Sequence, residues 1–318
     1  MPYISYDHDN FPPNVLPSYE RRLDVTWNEL AWAAVTVGRP DLYHVFQHGN
    51  SSVYGAIFRW SMIRMALEQR GSYGRRFFRT DAFKHMDPTE KGAVNYFLGL
   101  VICKLFSAKR LDAPWTLHLD IWRDRLAANL LGGRSRPDMI AQAATSGQWH
   151  AFECKGRAST PSEAEKRKAK NQAMRVVSVG GTTCTLHVGA ITYYSGDALQ
   201  FYWRDPEPIS REPIKIPRLG DAWREYYQPF IEAYQFFGGR PDGAFASDTG
   251  VAVEELDLTL KMHPAIGEFL LASNWQGARR LAREMRGELK DKGYQPDGLQ
   301  VVAGRSWFAG EERKTRQK

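Results

Sequence analysis

Three side chains near the middle of the chain, Asp138, Glu153 and Lys155, have the types and spacing to hold a divalent cation and act on a phosphate ester. Fourteen residues (139–152) lie between Asp138 and Glu153, enough for one strand to turn and return beside another. Strand side chains alternate between faces, so Glu153 and Lys155 point one way and Cys154 the other. Asp138, at the start of the preceding strand, is then expected to lie across from them. Two carboxylates on adjacent strands form a hard oxygen site suited to Mg²⁺, completed by waters and a substrate phosphate. An ammonium beside them can orient or deprotonate a water, or hold a phosphate oxygen.

Neither half of this pattern carries weight alone. Pro-Asp occurs at 40–41, 137–138, 241–242 and 296–297, and Glu-x-Lys recurs at 288–290 and 312–314. Only Pro137-Asp138 is followed at hairpin distance by Glu-x-Lys on an apolar-flanked strand, where Trp149 and Phe152 accompany two charges. Burying charge is costly unless it is paired or coordinates a metal. The competing reading is a surface strand with an ordinary Glu–Lys pair.

The elements that must position these residues follow from patterning. MIAQA (139–143), the turn Thr145-Ser146-Gly147-Gln148 and WHAFECK (149–155) read as a β-hairpin. Ahead of it, Asp87-Pro88-Thr89-Glu90 is a strong helix start, with a cap, a first-position proline and a Glu three residues on. That helix should run to about Phe106, with Val94, Phe97, Leu98, Val101, Ile102 and Leu105 facing a core. WTLHLDIW (115–122) is strand-like. SEAEKRKAKNQAMRVVSV (162–179) is expected to be one charged helix ending at Gly180-Gly181, followed by strands at 183–194 and 198–203. The central order is helix, three strands, helix, strand, and one more strand.

At this point the chain resembles the PD-(D/E)xK superfamily of restriction-endonuclease-like nucleases. The resemblance rests on Pro137-Asp138 and Glu153-Cys154-Lys155 within that element order, and covers about residues 86–204. It implies an α/β fold whose restriction-endonuclease-like core holds a mixed sheet; the helical N- and C-terminal regions that flank this core are read from patterning and lie outside the resemblance. It also implies Mg²⁺-dependent endonuclease chemistry on phosphodiesters, with Mn²⁺ as a substitute. Asp138, Glu153 and the Cys154 carbonyl would be metal ligands, and Lys155 would position the nucleophilic water. Many members place a Glu on the helix before the first strand, and Glu90 is the matching residue, although its capping-box role explains it equally. Some place a Gln or Lys on the helix after the lysine strand. Lys168 and Gln172, four apart on one helical face, fit there. Stand-alone members commonly serve in restriction or antiviral defence.

Cations elsewhere suit a polyanion. The net charge is +7, from 43 basic and 36 acidic residues, and basic side chains that meet phosphates release counterions. Arg75, Arg76 and Arg79 mix with phenylalanines and could grip a nucleic-acid strand or be pinned to the core. Lys166, Arg167, Lys168 and Lys170 are a candidate phosphate-contacting face. DNA is the partner expected first, RNA stays open, and a homodimer or a larger defence complex fits the resemblance. A non-catalytic binding or scaffold subunit would have lost a carboxylate or the lysine, and none is lost here.

Composition sets the frame. With 43% hydrophobic and 25% charged residues, the chain reads as globular and ordered. No apolar run approaches a membrane span and no secretory signal opens the sequence, so a cytoplasmic protein is expected. Three scattered cysteines argue against a disulfide framework or structural zinc. The sequence divides into a helical region (1–80) that begins with an extended arm at 1–16, a core (81–205), a proline-rich crossing leading to a mainly helical region (206–310), and a basic tail (311–318).

Overall fold

Apolar and polar residues alternate along Tyr3–Asp9 (β1), where Ile4, Tyr6 and His8 turn inward, and this period of two makes a half-buried strand. In the computed structural model, which describes residues 1–37, 50–70, 76–119, 136–205, 214–216, 222–238 and 250–308, with the backbone alone for 50–57, β1 belongs to the main sheet. The remaining elements of this sheet are Arg22–Asp24 (β2), Leu67–Gln69 (β3), Phe77–Arg79 (β4), Trp115–His118 (β5), Met139–Gln142 (β6), Trp149–Gly156 (β7), Val176–Val179 (β8), Thr182–Ser195 (β9), Ala198–Arg204 (β10) and Ile214–Ile216 (β11). Its central order is β2-β1-β10-β9-β7-β6-β5. The sheet is mixed, because β1 pairs parallel with β10 and β7 parallel with β9, while β5, β6 and β7 form an antiparallel meander. The protein is therefore an α/β protein built on a mixed sheet.

Two helices matter for the site. Pro88–Arg110 (α1) opens with the expected capping box between Asp87 and Glu90. Against the expectation that no apolar run approaches a membrane span, it is long and apolar enough to cross one, but it is a core helix, with Val94, Phe97, Leu98, Val101, Ile102 and Leu105 all buried. Glu163–Ala173 (α2) is capped by Ser162 and Glu165 in a second capping box.

The charged segment departs from expectation after Ala173. Val176–Val179 is a strand, paired antiparallel with β9 through Val179↔Thr182. Gly180 and Gly181 have φ of 57° and 84°, and two left-handed residues in a two-residue loop make the hairpin turn whose twist matches the strands. A Val-Val-Ser-Val run before Gly-Gly favours a strand over a helix, because branched side chains lose χ1 freedom on a helix. The helical region expected over 1–80 is also interrupted, by β2 and β3, and the proline-rich crossing contains β11.

The chain forms two compact units that interleave along the sequence, so they do not follow the contiguous blocks expected above. The first, built mainly from residues 1–26 and 61–222, contains the main sheet, α1 and α2. The second, mainly 27–36 and 223–308, holds a three-stranded antiparallel sheet, Val251–Val253, Leu258–Met262 and Leu299–Ala303, with the helix Trp27–Thr36 packed on its last strand. The helical text expected in this part of the chain forms three short helices, Pro264–Leu271, Trp275–Glu284 and Arg286–Asp291. Within this unit Asp297 is fully buried, and its carboxylate accepts from Trp32 Nε1 at 3.0 Å, Tyr226 Oη at 2.6 Å and Leu299 N at 3.0 Å. The basic tail lies outside the described residues.

Candidate active site

The β6–β7 ladder pairs Ile140 with Ala151 and Met139 with Phe152, so the next step outward sets Asp138 opposite Glu153. Asp138 is fastened from both sides. Its carbonyl accepts from Leu119 N at 2.9 Å, and its Oδ2 accepts from Cys154 N at 2.8 Å. Glu153 is 1% exposed and forms an ion pair with Lys155 through Oε1. Its Oε2 is buried and makes no hydrogen bond. A buried carboxylate oxygen without a donor is costly, so this atom is a point of stored cost in the site.

Electrostatics follow from that burial. Burial pushes the Glu153 carboxyl up to about 8, and repulsion from Asp138 adds to this against the opposing pull of Lys155. Burial also raises Asp138, opposed by the Cys154 N–H and by the Lys155 and Arg136 charges. For Lys155, burial favours the neutral amine, but the Glu153 and Asp138 charges outweigh it and hold the group above its ordinary value. Lys155 is therefore an ammonium at neutral pH.

Two close approaches set the layers around these residues. Cα partners side by side in a ladder direct their side chains to the same face, so Gly189, the partner of Glu153, shares its face. A Cβ on Gly189 would stand 2.7 Å from Lys170 N, which shows α2 pressed onto that face. A Cβ on Gly156 would stand 1.7 Å from Asn95 O, so α1 presses onto the opposite face, where Cys154 meets Cys103. The sheet is thus sandwiched, with the charged pair on the α2 side.

A cleft of about 450 Å³ opens at the end of β7, between the two helices. Tyr96 of α1, Lys155 and Arg157 from β7 and its continuation, and Lys168 and Gln172 of α2 line it. Lys155 both pairs with the buried Glu153 and lines the cleft, linking the carboxylates to the open space. Lys168 and Gln172, one helical turn apart, are brought beside Lys155.

Other sequence candidates fall elsewhere. Glu90 is exposed and closes the capping box, with its Oε2 accepting from Asp87 N at 3.4 Å, and it does not line the cleft. The basic residues of α2 do not present one face. Lys166 is held by Glu163 at 2.6 Å and lies 4.3 Å over the Tyr202 ring, Arg167 is exposed, and Lys170 backs onto Gly189. Arg79 is tied to Asp197 at 2.9 Å, and Phe77 of the same strand is fully buried, so this segment is pinned to the core. Arg76 is half-buried and bridges to Tyr3, and Arg75 lies outside the described residues. Arg157 and Tyr96 were missed from sequence. Arg157 continues the alternation of 153 and 155, a signal that was there to read.

Among the described residues, no group of three or more His, Cys, Asp or Glu side chains converges to hold a metal ion. The two acidic side chains that the hairpin brings together are those of Asp138 and Glu153. The matches at 296–297 and 288–290 have ordinary explanations, and those at 40–41, 241–242 and 312–314 lie outside the described residues. Asp297 is satisfied by hydrogen bonds, and Glu288 forms an exposed pair with Lys292 at 2.7 Å. Comparison of the chain with protein-family models, with curated proteins and with solved structures finds no match.

Proposed function

We propose that this protein is a metal-dependent nuclease that hydrolyses phosphodiester bonds in DNA, and that α1, β5–β7, α2 and β9 constitute a restriction-endonuclease-like core. The observation that carries this reading is the buried, unpartnered Oε2 of Glu153, set across the hairpin from Asp138 and joined to an open cleft by Lys155. An orphaned carboxylate oxygen in a two-carboxylate site suits a hard divalent cation, whose ligands are oxygens. Asp138, Glu153 and the Cys154 carbonyl would hold Mg²⁺, or Mn²⁺ in its place. When bound, that ion supplies Lewis-acid charge to the scissile phosphate.

The chain's own residues do the rest. The Cys154 N–H fixes the Asp138 carboxylate, and α2 excludes water from the Glu153 side. Lys155 is an ammonium, so it donates: it orients the attacking water or holds a phosphate oxygen. Lys168 and Gln172 offer a cation and a neutral donor on the facing wall. Defence against foreign DNA is the setting we favour for a nuclease of this kind.

The test is incubation of the purified protein with plasmid, single-stranded DNA and RNA, with Mg²⁺ or with EDTA. Mg²⁺-dependent cleavage of DNA supports the proposal, cleavage of RNA alone moves the substrate class, and no cleavage of any of the three overturns it.

A further inference from the structure

The Glu153–Lys155 alternation does not stop at the end of β7. The Arg157 N–H donates to Thr192 O at 2.8 Å, one step beyond the Gly156↔Thr192 pair, so the backbone stays on β9 and Arg157 keeps the face of Lys155. Its guanidinium lies 3.1 Å from Glu165 Oε1 across the cleft. Glu165 is itself held. Its Oε2 accepts from Ser162 N at 2.9 Å and from Ser162 Oγ at 3.1 Å as part of the α2 capping box. One carboxylate thus anchors the helix start with one oxygen and aims an arginine with the other.

The ion pair leaves room for a ligand. Arg157 is 41% and Glu165 35% exposed, and such solvent-exposed pairs are weak. A guanidinium has five donors in a planar fork, and this one spends a single nitrogen on Glu165. Along a strand, residues two apart stand about 6.6 Å from each other, the scale of one backbone repeat of a nucleic-acid strand. Lys168, from the opposite wall, gives the cleft a third cation against the one Glu165 carboxylate.

We propose that Arg157 binds the nucleic-acid phosphate next to the one served by Lys155, and that Glu165 is the positioning residue that holds its guanidinium in the cleft. The inference rests on reading the cleft as a nucleic-acid site. Arginine is the side chain whose geometry matches a phosphate with two parallel hydrogen bonds. Glu165, engaged at both oxygens, keeps its charge turned to Arg157 and Ser162.

The test is fluorescence anisotropy of the full chain with a labelled DNA duplex in EDTA, titrated with salt, so that binding is read without cleavage. Arg157→Ala should weaken binding at least about tenfold, as expected for a charged hydrogen bond, and lower the salt slope by about one. Arg157→Lys should keep the slope. Glu165→Gln retains a capping-box side chain and removes a negative charge, which by charge alone would tighten binding. A loss of about threefold instead identifies the positioning role. An Arg157→Ala variant with wild-type affinity and slope, or a wild-type chain that binds no DNA, overturns the phosphate contact, and tighter binding by Glu165→Gln overturns the positioning role. Cleavage by the wild-type chain with Mg²⁺ is scored separately, so failure of the nuclease reading is distinct from failure of this one.

Discussion

Asp138 reaches across the hairpin to the backbone of Cys154, the residue between Glu153 and Lys155, through a 2.8 Å hydrogen bond. One carboxylate oxygen therefore fixes the strand that carries the other two groups, and its second oxygen is left outside that bond. The carboxylates and the lysine should consequently fail in different ways. Asp138→Ala and Glu153→Ala should each abolish cleavage and remove the rise in melting temperature that Mg²⁺ confers on the wild type. Lys155→Ala should abolish cleavage and keep most of that rise. Activity assays beside thermal melts with and without Mg²⁺ check this. Wild-type cleavage by any of the three folded variants would place the active centre elsewhere.

Glu153 should make metal-free stability depend on pH. Its carboxyl rises from 4.5 to about 8 in the folded chain, so the fold binds this proton more tightly than the unfolded chain does. The associated stability is complete below pH 4.5 and is lost as pH rises through about 8. Glu153→Gln removes that loss. In EDTA, the melting temperature of the variant relative to wild type should climb between pH 5 and pH 9. A difference that stays flat over this range would mean that Glu153 titrates normally.

The two tight glycines are testable by packing. Gly156→Ala would drive a methyl group into the Asn95 carbonyl, and Gly189→Ala one into the Lys170 backbone. In both cases the obstacle is main chain, which cannot swing away like a side chain. Each should cost about 1–3 kcal/mol or more in urea unfolding, with Gly156→Ala the worse. Unchanged midpoints would show that the helices can retreat from the sheet.

The cations of α2 should separate by position. Lys168→Ala, in the cleft, should weaken DNA binding more than Lys166→Ala, whose ammonium is engaged by Glu163 and Tyr202. Equal losses in an anisotropy titration would restore a uniform basic face.

In the second unit, Asp297→Ala takes the carboxylate acceptor from Trp32 and Tyr226 in a fully buried setting. The expected cost is about 3 kcal/mol, read by chemical denaturation, with no direct effect on the cleft chemistry.

The meander and its hairpin were legible because period-two patterning, a Gly-containing turn and a capping box each act over a few residues. Asp138 opposite Glu153 followed from counting along that hairpin. The contributions of β1 and β8 were harder. Tyr3–Asp9 alternates correctly, but its partner is remote in sequence, and the Pro-, Asn- and Asp-rich text of residues 1–16 read as an extended arm. Val176–Val179 was absorbed into the helix before it, although Gly180-Gly181 marked a turn. The division of labour among Lys166, Lys168 and Lys170 was not legible, because helical spacing shows which residues share a face and not what that face meets. Arg157 was overlooked because the motif ended at Lys155, while the strand ladder did not.

The parallel pairing of Ser5 with Gln200 has a kinetic side. Emerging chain grows at about 5–20 residues per second, so β1 waits roughly 10–40 s for β10 to be made. Through that interval its apolar side chains and unpaired edge are open to chaperones or to wrong strands. Loop closure over so many residues is also slow to repay its entropy. The last strand of β1–β10–β9 to be synthesised therefore governs when the first can dock, and refolding from denaturant should be late in whatever signal Tyr6 reports.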